Sequence, residues 1–344
     1  MKKVLLLNKS QITSWVNKLI ENYEVFAPVK EDEHFCFKQI DSGDEVVLSY
    51  NNSKIPPKEV LFPRSEKLFC YNYEKDSVKL TEVIDKNKKV ILGVRPCDAR
   101  SFLLLDNVFK NEKYQDPCYL TRRNNTVLVG LGCNQPAVTC FCTSLGGGPF
   151  STEGLDLLLV DIGEQYVVEV LTDKGQTLLS EINLPPATEE QKEAARQVKE
   201  GVSLVSHVNL EGLKDKLDVN FYSPIWDLIH EKCLGCAACT YSCPTCHCFD
   251  IVDEAEGNDG CRIRNWDACM FPLFTLHGSG HNPRPTGKER FRQRIMHKFK
   301  YFVDNFNVIA CVGCGRCIIN CPVNLDIRKV LTELQGLEVR SDKP

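Results

Sequence analysis

The chain has no apolar run near the roughly 18 residues that a membrane-spanning helix requires. Its first residues, Met1-Lys2-Lys3-Val4-Leu5-Leu6-Leu7-Asn8, fall short of a secretory h-region of about 7–15 apolar residues. Both absences point to a cytoplasmic protein. Neither sign of charge dominates: 42 Lys+Arg face 46 Asp+Glu, a net charge of −4. That balance excludes the strongly basic character of a dedicated nucleic-acid binder. No G-x-G-x-x-G follows a strand-like run, and there is no Walker A loop, no Ser–His–Asp arrangement and no recognisable carboxylate pair. The seven histidines are scattered; His247 stands among cysteines, and His277 and His281 flank a Gly-Ser-Gly loop.

Cysteine is what the chain has in excess, with nineteen among 344 residues. Reducing conditions make disulfides a poor account of so many, and metal ligation becomes the default. Their distribution is uneven. Seven lie in the first 220 residues and twelve between Cys233 and Cys321. The length suggests two or three domains. We therefore expect an α/β domain over 1–184, a linker with helices over 185–221, a mainly α-helical domain over 222–338 that carries the twelve clustered cysteines, and a tail over 339–344.

The N-terminal part alternates helix-like and strand-like signals. Ser10 is placed to cap an amphipathic helix to about Tyr23, with Ile12, Trp15, Val16, Leu19 and Ile20 on one face. Strand-like runs follow at Glu45–Tyr50, Lys89–Val94, Thr126–Leu131, Leu157–Asp161 and Tyr166–Leu171. The Lys89–Val94 and Thr126–Leu131 runs are continuously apolar, as strands covered on both faces tend to be. Beyond Pro224 strand signal nearly vanishes; Pro224–Lys232, Thr286–Phe306 and Leu325–Gln335 read as helices, and so does the insertion between the two cysteine runs.

The strongest pattern is a repeat. Cys233-x2-Cys236-x2-Cys239-x3-Cys243-Pro244 recurs as Cys311-x2-Cys314-x2-Cys317-x3-Cys321-Pro322. In this bacterial-ferredoxin spacing, three thiolates hold one [4Fe–4S] cluster and the fourth reaches the neighbouring one. The assignment is Cys233, Cys236, Cys239 and Cys321 to a first cluster, and Cys311, Cys314, Cys317 and Cys243 to a second.

A second constellation lies in the N-terminal part. Cys97 and Cys133 each follow an apolar run, and Cys140 and Cys142 lie close behind. Parallel strands would bring these positions together at their carboxyl ends, where open α/β sheets place ligands. Three readings stay open on the residues alone: a third [4Fe–4S] cluster, a structural zinc, or inert buried thiols. Cys246, Cys248, Cys261 and Cys269 leave a further metal site or simple packing open, while Cys36, Cys70 and Cys118 show no partner spacing. Seven Lys/Arg between Arg284 and Lys300 read as a solvated face, as compensation for anionic clusters, or as a docking patch.

Taken together, Tyr23–Val29 (YEVFAPV), Pro56–Pro63 (PPKEVLFP), Gly93–Asp98 (GVRPCD), Thr139–Cys142 (TCFC), Cys243–Asp250 (CPTCHCFD), Trp266–Cys269 (WDAC) and Gly280–Pro285 (GHNPRP) carry a resemblance over most of the chain. The chain resembles the iron–sulfur β subunits of soluble NiFe hydrogenases (sulfhydrogenases) and the related iron–sulfur subunits of anaerobic sulfite reductases. The resemblance implies a non-catalytic electron-transfer subunit of a cytoplasmic complex. Its implied partners are a reductase subunit that binds flavin and NAD(P), and a catalytic subunit of the hydrogenase, sulfite reductase or heterodisulfide-reductase-like kind. It also implies that Cys97, Cys133, Cys140 and Cys142 act as a set, and gives weight to Cys246, Cys248 and Cys269. Cys261 falls outside its pattern, which weakens a four-thiolate site in the insertion and leaves Cys261, like Cys70, without a role. Two other classes stand beside this one: an enzyme binding a small substrate or flavin near Cys97, and a scaffold whose clusters only stabilise the fold.

Overall fold

The structure, a computed structural model, describes residues 3–338, except for the side chain of Glu181. The tail expected over 339–344 lies outside the described residues. The first strands are β1 (Val4–Asn8), β2 (Glu24–Glu31), β3 (His34–Gln39), β4 (Ser65–Glu74) and β5 (Ser77–Glu82). They are followed by β6 (Lys89–Val94), β7 (Thr126–Leu131), β8 (Leu157–Asp161), β9 (Gln165–Val170), β10 (Phe249–Glu256) and β11 (Asp259–Trp266).

The larger sheet runs β1-β9-β8-β7-β6-β2-β3. Its centre, β8-β7-β6-β2, is parallel; β9 and β1 extend one side and β3 the other in antiparallel fashion. Every residue of β6 and β7 is buried, which is why both read as unbroken apolar runs. The helix Ile12–Ile20 buries Ile12, Trp15, Val16 and Leu19. Pro96 opens the helix Pro96–Phe109 directly after β6, a position where a missing N–H costs nothing. Asp116 caps the helix Pro117–Asn124 by accepting from the Tyr119 amide. The helix Glu189–Gly201 starts on a Thr188/Gln191 capping box.

The second sheet runs β10-β11-β4-β5, all antiparallel. It corrects two expectations. The insertion between the cysteine runs is not purely helical, because residues 249–266 form the β10–β11 hairpin, so the C-terminal part is helical only in part. The hairpin escapes pattern reading because β10 leaves nearly every residue in water and so shows no inside–outside alternation. It is held by pairing with β4, nearly two hundred residues earlier in the chain. In that ladder Cys70 stands opposite Cys261, and the two form a disulfide. The expectation that disulfides play no part, and that these two cysteines have no role, is thereby overturned.

Other boundaries shift for local reasons. Glu45–Tyr50 is not a strand: Ser42 caps a short 3-10 turn over Gly43–Glu45, and the chain then runs irregularly. The long helix expected over Thr286–Phe306 is observed as α over Gly287–Met296, one π-helical turn over His297–Tyr301, and α again over Phe302–Phe306. The helix Ile327–Gln335 buries Ile327, Val330, Leu331 and Leu334 against a second core that also holds Trp226, Phe291 and Phe299. No helix among the described residues is long and apolar enough to cross a membrane.

Candidate metal centres

The two cysteine runs fold alike. Gly235 and Gly313, each just before the second cysteine of its run, adopt positive φ of 67° and 64°. Two residues on, Ala237 and Gly315 do the same at 62° and 73°. Each run then enters a single helical turn, Ala238–Tyr241 and Arg316–Ile319. Left-handed residues at alternate positions curl the backbone into a concave loop with its cysteines facing inward.

The cysteines gather around three cavities. An outer cavity is lined by Cys233, Cys236, Cys239 and Cys321, together with Cys317, Met270, Phe291 and Arg294. A middle cavity is lined by Cys243, Cys311, Cys314 and Cys317, with Phe141, Arg294 and Lys298. The third, an N-terminal cavity, is lined by Cys97, Cys133, Cys140 and Cys142, with Asn52, Arg95 and Cys314. The pairing of β6 with β7 puts Cys97 and Cys133 at one sheet edge. Cavities adjoin in sequence: Cys314 lines both the N-terminal and middle ones, and Cys317 both the middle and outer ones. Among the described residues, no three His, Cys, Asp or Glu side chains close on a single metal ion. The cysteines stand instead as three tetrads, each around its own cavity, a donor set that suits a group of several metal atoms.

The 4Fe-4S dicluster domain family matches residues 232–325. Sulfhydrogenase 2 subunit beta of Pyrococcus furiosus is 35% identical over 334 residues, covering 96% of this chain and 97% of that protein. The chain belongs to the iron–sulfur hydrogenase beta-type subunits. As a member of that family it is a 4Fe-4S electron-transfer protein.

The charges around the cavities suit an anionic group of this kind. Lys298, 3% exposed, donates to Cys243 Sγ at 3.2 Å, to Thr245 Oγ1 at 3.0 Å and to the Ala310 carbonyl at 3.2 Å. Arg294 is 4% exposed, and its Nε has no partner. Among the described residues neither cation meets a carboxylate, a costly arrangement unless a buried anion sits beside them. Burial pushes the thiols upward, Cys142 and Cys317 to about 12, so these cavities favour cysteine thiolates only with a compensating positive centre such as iron. Cys243 is the opposite case: contact with the Cys246 thiol and the nearby Lys298 ammonium hold it well below the usual thiol value.

The basic segment at 284–300 divides by direction. Lys288 pairs with Asp227, Lys300 pairs with Asp304 and Asp218, and Arg292 stacks 3.9 Å over the Phe221 ring. Only Arg294 and Lys298 of this segment line the cavities. The lining of the N-terminal cavity includes polar side chains that sequence reading missed, Asn52 and Arg95 among them. Asn52 donates to the Cys314 carbonyl at 3.1 Å, and its own Oδ1 is unpartnered. Arg95 donates to the Gly132 carbonyl at 2.6 Å and lies 4.4 Å over the Tyr50 ring.

Cys246, Cys248 and Cys269 line none of the three cavities. Cys246 touches Cys243, and Cys248 touches Cys269. Contact with the Cys269 thiol brings Cys248 down to about 7. Lys58 donates to the Cys246 carbonyl at 2.7 Å and lies 4.0 Å over the Trp266 ring; burial draws its ammonium down to about 8. Cys36 and Cys118 are free thiols away from these sites.

Proposed function

We propose that this chain is a non-catalytic relay subunit that passes electrons through three [4Fe–4S] clusters. In this reading Cys233, Cys236, Cys239 and Cys321 hold the outer cluster. Cys243, Cys311, Cys314 and Cys317 hold the middle one, and Cys97, Cys133, Cys140 and Cys142 hold the N-terminal one. Each cluster, when bound, takes and releases single electrons. The observation that carries the reading is the sharing of walls: one cysteine, Cys314 or Cys317, separates each cavity from the next. Such a row shortens every hop and leaves no gap between its two ends.

The division of labour follows. Residues 1–184 supply the N-terminal centre, 185–221 link, and 222–338 supply the other two. The row ends near solvent at Cys236, the one exposed free cysteine among the described residues. A reductase subunit binding flavin and NAD(P) would face one end in a cytoplasmic complex, and a hydrogenase catalytic subunit the other. The relative's name makes that protein one subunit of a sulfhydrogenase. The chain's own contribution is to fix the thiolates, exclude water from the inner centres and present cations to them.

Iron analysis with electron paramagnetic resonance on anaerobically purified full-length protein tests this. About twelve irons per chain are expected, and Cys97→Ser should remove about four while both other signals persist. About eight irons, unchanged in Cys97→Ser, would remove the N-terminal centre from the relay.

A further inference from the structure

The three cavities do not carry equal charge. The middle cavity has two buried cations in its wall, Arg294 and Lys298, neither paired with a carboxylate among the described residues. Lys298 places its ammonium 3.2 Å from the sulfur of Cys243. The outer cavity shares Arg294 but not Lys298. The N-terminal cavity has a single lining cation, Arg95, which donates to the Asn51 and Gly132 carbonyls and lies over the Tyr50 ring, and among the described residues donates to no cysteine sulfur. A further cation near the middle site, Arg316, is neutralised by its pair with Asp98.

Reduction adds one negative charge to a cluster. In a buried site that charge is stabilised by fixed cations and by N–H···S bonds to the ligating sulfurs, both of which raise the potential. Lys298 supplies both effects at once, from a place where its desolvation is already built into the fold. It sits in the π-helical turn His297–Tyr301 and is anchored there by Ala310: the Ala310 amide donates to the Lys298 carbonyl at 2.9 Å while Lys298 Nζ donates back to the Ala310 carbonyl. Single π turns inside α-helices recur at functional sites.

We infer that Lys298 and Arg294 make the middle centre, held by Cys243, Cys311, Cys314 and Cys317, the highest-potential station of the row. It fills first and acts as an electron well between the two ends. Lys298 is a tuning residue for one centre, and Arg294 for two.

The inference rests on the relay reading, and a potentiometric titration followed by electron paramagnetic resonance on the anaerobic full-length protein separates the two. Absence of cluster signals would sink the relay reading itself. With clusters present, Lys298→Gln, which keeps a hydrogen-bond donor but removes the charge, should shift one signal to lower potential. That signal should be the first to appear on reduction of the wild type. Lys298→Arg should restore it. Arg294→Gln should shift two signals downward and leave the third in place. Unmoved potentials in Lys298→Gln at unchanged iron content, or a shift in the last signal to reduce, would overturn the assignment.

Discussion

Arg316 grips Asp98 with both arms: Nη1 donates to Oδ1 at 2.5 Å and Nη2 to Oδ2 at 2.7 Å, each side chain 1% exposed. Arg316 lies between Cys314 and Cys317, and Asp98 follows Cys97, so the pair ties the second cysteine run to the helix after β6. Its Nε donates to the Ser53 carbonyl at 2.7 Å as well. Removing one member of such a pair strands a buried charge, which costs about 3–5 kcal/mol. Asp98→Asn should lower stability by about that amount in anaerobic denaturant unfolding. The double change Arg316→Met with Asp98→Leu should cost less than either single loss, since nothing is left unpaired.

The repeat offers an internal control for packing. Gly235 and Gly313 share the left-handed conformation, but their surroundings differ. A Cβ on Gly235 would find its nearest neighbour, the Met270 carbonyl oxygen, at 3.8 Å. On Gly313 it would stand 2.6 Å from the Cys142 amide nitrogen and the Phe141 carbonyl carbon. Phe141 also donates its amide to the Gly313 carbonyl at 2.8 Å, so the two backbones cannot part cheaply. Gly235→Ala should cost only the conformational penalty of about 1–2 kcal/mol. Gly313→Ala should cost about 1–3 kcal/mol more and disturb the N-terminal centre, read as lost iron.

What pattern reading captured here was local. The spacing of Cys233 to Cys243 and of Cys311 to Cys321 encodes which sulfurs can gather, and the buried runs of β6 and β7 announce where Cys97 and Cys133 emerge. What it missed depends on distant partners. Strand β10 is almost wholly exposed and strand β5 entirely so; their strand character comes from ladder bonds, not from an apolar face. Lys58 meets the Cys246 carbonyl across 188 positions and Arg316 meets Asp98 across 218. Among the basic residues of 284–300, charge counting alone could not separate inward Arg294 and Lys298 from outward Lys288 and Lys300.

The Cys70–Cys261 disulfide closes a separation of 191 residues and fastens the β10–β11 hairpin onto β4. A cross-link over so long a loop restricts the unfolded chain, an effect of about 2–4 kcal/mol in typical cases. Cys261→Ser should lower stability by about that amount while leaving iron content unchanged, because neither sulfur lines a tetrad cavity. Peptide mapping before and after reduction should recover residues 70 and 261 in one linked fragment only before.

His247 and His297 stack edge to face at 5.3 Å, with Phe302 against both rings at 6.2 Å. Burial is the main reason both imidazoles resist protonation; it draws His247 to about 4 and His297 to about 3, and the Lys298 ammonium pushes the same way. His247 Nδ1 lies 3.0 Å from the Thr245 carbonyl, a contact that favours the Nδ1–H tautomer. Well above pH 6.5, from about pH 8, both rings are neutral whether folded or not, and they contribute no pH dependence. Below it the unfolded chain takes up protons that the folded chain refuses, so stability falls as pH drops from 6.5 toward about 4. With the two rings in mutual contact and not wholly out of reach of water, the loss should be about 1–3 kcal/mol for the pair. His297→Gln removes one titrating ring and relieves the other of a like charge, so its acid limb in anaerobic thermal melts should be shallower than the wild type's, while the two curves run parallel above about pH 8.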